Sequence, residues 1–67
     1  MAYNNRALAY MLLGNFKQAI ADATKAIQIN PKYVPAYQLR GKIYQKLGDE
    51  AKAQADFAKA KELGYKS

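Results

Sequence analysis

With 67 residues, 51% of them hydrophobic, the chain is at most one small domain; its eleven Lys and Arg against five Asp and Glu leave a formal net charge of +6. It has no cysteine and no histidine, which excludes disulfide staples, zinc-finger chemistry, thiol or imidazole nucleophiles and most transition-metal sites. No run reaches the roughly 20 apolar residues of a membrane span, and the N-terminus lacks the basic, apolar and cleavage regions of a signal peptide, so a soluble, cytoplasmic chain is expected. The hydrophobic total is softer than it looks: 13 of those 34 residues are Ala and six are Tyr, leaving 15 of Val, Ile, Leu, Met and Phe. So many Ala with only two Pro suits helices packed at short distance.

In chain order, a first helix is predicted over 2–13 and is apolar nearly all round, with Ala7, Leu8, Ala9, Tyr10, Met11, Leu12 and Leu13. Gly14 ends it at a position that needs positive φ. Asn15 is then a candidate N-cap, and Gln18, three residues on, completes a capping-box spacing. The second helix, over 16–29, stops at Asn30-Pro31, because the residue before Pro is pushed out of the α region. A third helix over 35–46 opens with Pro35 in its first turn, where the missing N–H costs nothing. Gly48 and Asp49 repeat the Gly14–Asn15 punctuation, and a fourth helix follows over 50–63. Turns this short make successive helices antiparallel neighbours, and no segment alternates with the period of a strand.

The same sequence slid by 34 residues shows twelve identities, without a gap, in 33 overlapping positions. Among them are Ala2/Ala36, Tyr3/Tyr37, Arg6/Arg40, Tyr10/Tyr44, Leu13/Leu47, Gly14/Gly48, Ala19/Ala53, Asp22/Asp56 and Ala26/Ala60. The chain is a tandem duplication: repeat one is 1–33 and repeat two is 34–67, within a single domain 1–67. The copies differ at telling places. Phe16, Ile20 and Ile27 of the second helix become Glu50, Gln54 and Lys61 in the fourth, the polar substitution expected of a C-terminal cap. Leu63-Gly64-Tyr65 likewise replaces the Ile29-Asn30-Pro31 exit. Conversely Leu8, Met11 and Leu12 of the first helix become Lys42, Gln45 and Lys46 in the third. The first helix is therefore expected to be covered by an upstream repeat, a second copy of the chain, or a ligand.

These residues resemble the tetratricopeptide repeat, a 34-residue helix–turn–helix unit. Its pattern of aromatic, small residue, Tyr, Gly, Ala, aromatic, Ala and Pro is met in copy two by Tyr37, Gly41, Tyr44, Gly48, Ala53, Phe57 and Ala60, with Tyr65 in place of the Pro. Copy one reads Tyr3, Ala7, Tyr10, Gly14, Ala19, Ala23, Ala26 and Pro31, departing at Ala7 and Ala23. The resemblance covers the whole chain and implies an all-α fold, two antiparallel helix–turn–helix repeats (four helices) stacked as a short right-handed α-solenoid. It also implies protein–protein interaction, with first helices lining a concave groove. Here that groove would be lined by Asn4, Asn5, Leu8, Met11 and Leu12, and by Gln38, Leu39, Lys42, Gln45 and Lys46. Apolar residues beside lysines suit a peptide or partner helix with apolar anchors and acidic neighbours. The competing expectation, given the greater weight because two repeats bury so little, is that Leu8, Met11 and Leu12 pack on an upstream repeat of a longer array.

A narrower resemblance fails. Tyr3-Asn4-Asn5-Arg6 is similar to the middle repeat of the carboxylate clamp that grips chaperone C-termini, with Asn5 at the clamp Asn. The clamp's next repeat would supply a Lys and an Arg where this chain has Pro35 and Leu39.

The charge is spread evenly, four basic and one acidic residue in the first 33 positions and seven and four in the remainder, which argues against a dedicated basic tail. Nucleic-acid binding is a lesser reading, resting on net charge and on Tyr33 and Tyr37 near Lys32 as stacking residues. No enzyme is expected, and no cofactor or metal: Thr24 and Ser67 are the only Thr and Ser, neither has a His base, and no Gly-rich phosphate loop exists. Because at least three repeats are normally needed for stability, a homo-oligomer is also expected, joined through Leu8, Met11 and Leu12 or by helix exchange about Tyr33–Val34.

Within each repeat an Arg precedes an Asp by sixteen residues, Arg6 before Asp22 and Arg40 before Asp56, and each pair is expected to bridge the two helices. Reversing both charges in one repeat should restore most of the melting temperature lost in either single reversal; no recovery would refute the pairing.

Overall fold

The helices form where their caps place them. A computed structural model describes residues 2–64 and contains α1 (Ala2–Leu12), α2 (Phe16–Ile29), α3 (Val34–Leu47) and α4 (Glu50–Gly64). The fold is all-α, two helix–turn–helix units laid side by side, with α1 against α2, α2 against α3, α3 against α4, and α1 also touching α3. Tyr65, Lys66 and Ser67, and with them the Tyr65 exit, lie outside the described residues.

Both turns within the repeats are the same device. Gly14 has φ +81° and Gly48 φ +83°. The Gly14 N–H donates to the Met11 carbonyl at 3.0 Å and the Asn15 N–H to the Tyr10 carbonyl at 2.8 Å. Gly48 and Asp49 repeat this onto Gln45 and Tyr44, at 3.0 and 2.9 Å. This is the paired closure of a Schellman motif, which satisfies the last carbonyls of each helix and requires the left-handed glycine. The capping expectation holds only in copy two: Asp49 accepts the Lys52 N–H at 3.2 Å. Asn15 occupies the N-cap position of α2 but makes no side-chain capping bond, so the capping box with Gln18 does not form. Asn15 holds φ −91° and ψ 72°, outside the extended backbone region from which an N-cap side chain reaches the first free N–H groups.

Between the repeats Asn30 is extended at φ −138°, as its position before Pro31 requires, and its side chain accepts the Lys32 N–H at 3.2 Å. Tyr37, buried, donates its hydroxyl proton to the Pro31 carbonyl at 2.8 Å and so ties α3 to the turn that delivers it.

The core is built mainly of alanine. Ala7, Ala19, Ala23, Ala26, Ala36, Ala53 and Ala60 are buried, joined by Tyr37, Leu39 and Ile43, and Ile43 is the largest fully buried side chain. Leu39 and Ile43 of α3 reach across to Ala7, Ala19 and Ala23, with Tyr10, Met11, Phe16 and Ile20 closing around them. Phe16 and Ile20 thus receive the following repeat. The molecule is a slab, 34 × 26 × 15 Å across its Cα positions, too thin for a third layer, so every helix keeps one face in water.

The two departures of copy one from the repeat pattern compensate one another. In copy two a Cβ on Gly41 would stand 2.7 Å from the Phe57 ring, so the aromatic is accommodated only against glycine. At the equivalent places copy one has Ala7 and Ala23, both fully buried: the methyl gained on the first helix is matched by the ring lost from the second. Gly41→Ala alone should therefore destabilise by about 1–3 kcal/mol through overpacking. In the Phe57→Ala background the same change should be neutral or stabilising, since it restores the copy-one pair and adds helix propensity. Additive losses in urea denaturation would contradict this exchange.

Candidate protein-binding face

The pairs expected from the sixteen-residue spacing are present in both repeats with one geometry. Arg6 Nε and Nη2 donate to the two carboxylate oxygens of Asp22, each at 2.8 Å. Arg40 Nε and Nη2 do the same to Asp56 at 2.8 Å. Such fork-to-fork pairing fixes the angle between the two helices of a repeat as well as attracting them. Each guanidinium also lies over the aromatic ring one turn earlier, Arg6 over Tyr3 at 5.4 Å and Arg40 over Tyr37 at 5.9 Å. The pairs differ in shelter: the Arg6 side chain is 59% exposed and that of Arg40 20%. Arg40 gains a third acceptor from the preceding repeat, Thr24 Oγ1, at 3.2 Å from its Nη1, a contact that no spacing rule in the sequence had suggested. Arg6 instead borders an open hollow lined by Ala2, Tyr3 and Arg6. Hydrogen bonds from Arg6 hold the Asp22 carboxyl below the usual carboxylate range, against the burial that would raise it. Asp22 and Asp56 in turn raise the two guanidinium groups above their ordinary value.

On the faces of α1 and α3 turned away from these pairs lie two rows of side chains at helical i, i+4 spacing. Asn4, Leu8 and Leu12 form the row on α1, with Met11 beside it, and Gln38, Lys42 and Lys46 form the row on α3, with Gln45 beside it. Leu8 is 43% and Leu12 76% exposed, and Gln38, Lys42, Gln45 and Lys46 are all exposed. Met11 is half-buried against the core cluster. Asn4 is half-buried too, and its Oδ1 is shielded from water without a hydrogen-bond partner among the described residues.

Leu39 departs from the sequence expectation. It is 7% exposed and belongs to the core with Ala7, Ala19, Ala23 and Ile43, so it faces α2 and not the open side. Ala36, Leu39 and Ile43, spaced by three and four, form the stripe by which α3 docks on α2; that spacing was the signal that Leu39 is packing. Asn5 is its equivalent on α1, and it is exposed on the corresponding edge with Ala2 and Ala9. The position at which a carboxylate clamp would need its Arg is thus sealed inside this core.

The charge distribution is one-sided. Neither α1 nor α3 contains an acidic residue. Asp22 and Asp56 are held by the two arginines, Asp49 lies 3.9 Å from Lys52, and Glu62 lies 3.8 Å from Lys59. Among the described residues Lys42 and Lys46 have no carboxylate partner. The described residues contain no group of three or more metal-ligating side chains, and none of their helices is long and apolar enough to cross a membrane.

With known proteins the likeness is consistent. Two family models described as tetratricopeptide repeat match the chain, one over residues 1–33 and the other over 23–55. The human DnaJ homolog subfamily C member 7 is 34% identical over 65 residues, covering 97% of this chain and 13% of its own length. The human mitochondrial import receptor subunit TOM70 is 41% identical over 54 residues, 81% of this chain and 9% of its own length. The heat shock protein STI1 of Saccharomyces cerevisiae is 36% identical over 61 residues, 91% of this chain and 10% of its own length. The chain therefore spans about an eighth or less of each of these relatives.

The acid dependence of the fold follows from the lowered Asp22 carboxyl. An unfolded Asp takes up its proton near pH 4, at about 3.9, whereas folded Asp22 does so only at lower pH. The stabilisation from the pair is therefore complete above that range and is lost as pH falls through the folded value. In thermal melts from pH 7 to pH 2, Asp22→Asn should lower the melting temperature at neutral pH and flatten the acid limb. An acid limb as steep as that of the parent chain would contradict it.

Proposed function

We infer, from a chain that belongs to the tetratricopeptide repeat family of protein–protein interaction modules, that its ligand surface is the open face formed by the rows of α1 and α3. One observation carries the reading. The chain contains its own control for what repeat stacking covers. Helix α3 has a preceding repeat packed on it, and that packing buries Ala36, Leu39 and Ile43 while Lys42, Gln45 and Lys46 stay in water. An upstream repeat placed on α1 in the same register would cover Ala2, Asn5 and Ala9. Leu8 and Leu12, equivalent to Lys42 and Lys46, would remain exposed. Packing against a further repeat thus gives no reason for apolar residues there, and a ligand does. Fully burying an exposed leucine contributes about 2 kcal/mol, so covering Leu12 and the remaining exposed part of Leu8 favours an apolar segment there.

The site so drawn consists of Asn4, Leu8, Met11, Leu12, Gln38, Lys42, Gln45 and Lys46. Its members play a binding role, without a chemical step. An import receptor subunit and a heat shock protein among the relatives suit a module that meets other polypeptides. Self-association through the same leucines is a second reading, favoured by their exposure and opposed by a net charge of +6 on each copy.

Leu8→Lys/Leu12→Lys rewrites the first row as the second. Because both positions are exposed, helicity and melting temperature should change little, by about 0.5 kcal/mol or less in stability. Capture of a protein partner by the immobilised chain should be lost. Undiminished capture of the same partner, with the fold intact, would refute the face. Sedimentation of the parent chain, with a melting temperature that rises with concentration, would assign the leucines to self-association instead.

A further inference from the structure

We propose that the occupant of this face is an acidic amphipathic α-helix laid along α1 and α3, its apolar stripe on Leu8 and Leu12 and its carboxylates on Lys42 and Lys46. The proposal rests on the preceding reading of the face and adds the shape and charge of what binds there.

The shape follows from how the receptor rows are arranged. Leu8 and Leu12 are one turn apart, about 6 Å along the axis of α1, and Lys42 and Lys46 are equally spaced on α3. Antiparallel turns at Gly14 and at Asn30–Tyr33 leave α1 and α3 running in the same direction and in contact, so the rows lie side by side at about the 8–10 Å of packed helices. A ligand must therefore offer an apolar pair and an acidic pair on adjacent stripes of one surface. A strand laid along the helices offers the receptor a single row, because its alternate side chains point to opposite faces. A helix can: residues i and i+4 form one stripe, and residues i+1 and i+5 form another about 100° round the axis, each with the one-turn spacing of the rows below.

The charge follows from the inventory. Every one of the five carboxylates lies on α2, on α4 or at the cap of α4. On the two helices that form the face, the arginines are neutralised by Asp22 and Asp56, and Lys42 and Lys46 are left without a carboxylate. Two cations beside an apolar row, with no anion on either helix, complement a segment whose acidic residues flank its apolar ones. A second copy of the chain would bring the same lysines to the face and is disfavoured by like charge.

The test uses the 67-residue chain and three probes. The first is an alanine-rich, end-capped peptide with Leu at i and i+4 and Glu at i+1 and i+5. The second has the same residues reordered so that Leu and Glu alternate with period two, and the third is an oligouridylate. The first peptide should bind, gain helicity on binding, and shift the amide resonances of Leu8, Leu12, Lys42 and Lys46. Lys42→Glu/Lys46→Glu should weaken it by about tenfold or more, and added salt should weaken it in the parent chain only. Equal binding of the alternating peptide would overturn the helical occupant while leaving the face intact. No binding of the first peptide, in a chain whose Leu8→Lys/Leu12→Lys variant still loses its protein partner, would likewise overturn the occupant alone. Retention of the partner by that variant would overturn the face and this proposal with it. Oligouridylate that binds the same residues, and binds Leu8→Lys/Leu12→Lys more tightly, would replace the acidic helix by nucleic acid.

Discussion

The short distance between its helices governs this molecule. Seven of the ten buried hydrophobic residues are alanine, and where an aromatic enters, at Phe57, the facing position must be glycine. Methyl-sized contacts let backbones approach and let dispersion act over many atoms, but each contributes little apolar area. The core is consequently thin, and few large apolar side chains are buried in it. Leu39 and Ile43 join the repeats, and Phe16, Ile20 and Met11 close around them. Leu8 and Leu12 stay exposed beside this core, as do Leu13 and Leu47 at the ends of α1 and α3.

The same economy shapes the electrostatics. Helices held this closely are oriented by the forked Arg–Asp pairs, which consume one cation and one anion in each repeat and place the anions on α2 and α4. What remains on the open side is basic and unneutralised. A net charge of +6, read from composition alone, is diffuse; in the folded chain it becomes two lysines one turn apart beside two leucines one turn apart. Asymmetry between copies sets an apolar row in one repeat beside a cationic row in the next, a composite surface that neither repeat supplies alone.

Much of this was legible in the residues. The 34-residue period gave the four helices to within a residue or two, because Gly14, Gly48, Asn30-Pro31 and Pro35 act locally, through φ preferences that do not depend on what packs nearby. The Arg–Asp pairs were legible because the duplication displayed the same spacing twice. The Asn15 capping box was misread: two neutral side chains at the right spacing offer the backbone bonds that α2 forms without. The stripe of Leu39 was misread for another reason. Family resemblance places it among groove positions, whereas the spacing of Ala36, Leu39 and Ile43 decides which side of α3 meets α2.

By itself, the sequence determined the period, the helices, their punctuation and the pairing of arginine with aspartate, all consequences of local conformation or of a spacing repeated along the chain. Only the tertiary structure decided which side of each first helix is consumed in stacking. That decision depends on the angle and register at which α3 lies on α2, which no single helix encodes. It moved Leu39 inward and left Lys42 and Lys46 in water, so their counterparts Leu8 and Leu12 sit where a further repeat stacked in the same register would leave them exposed.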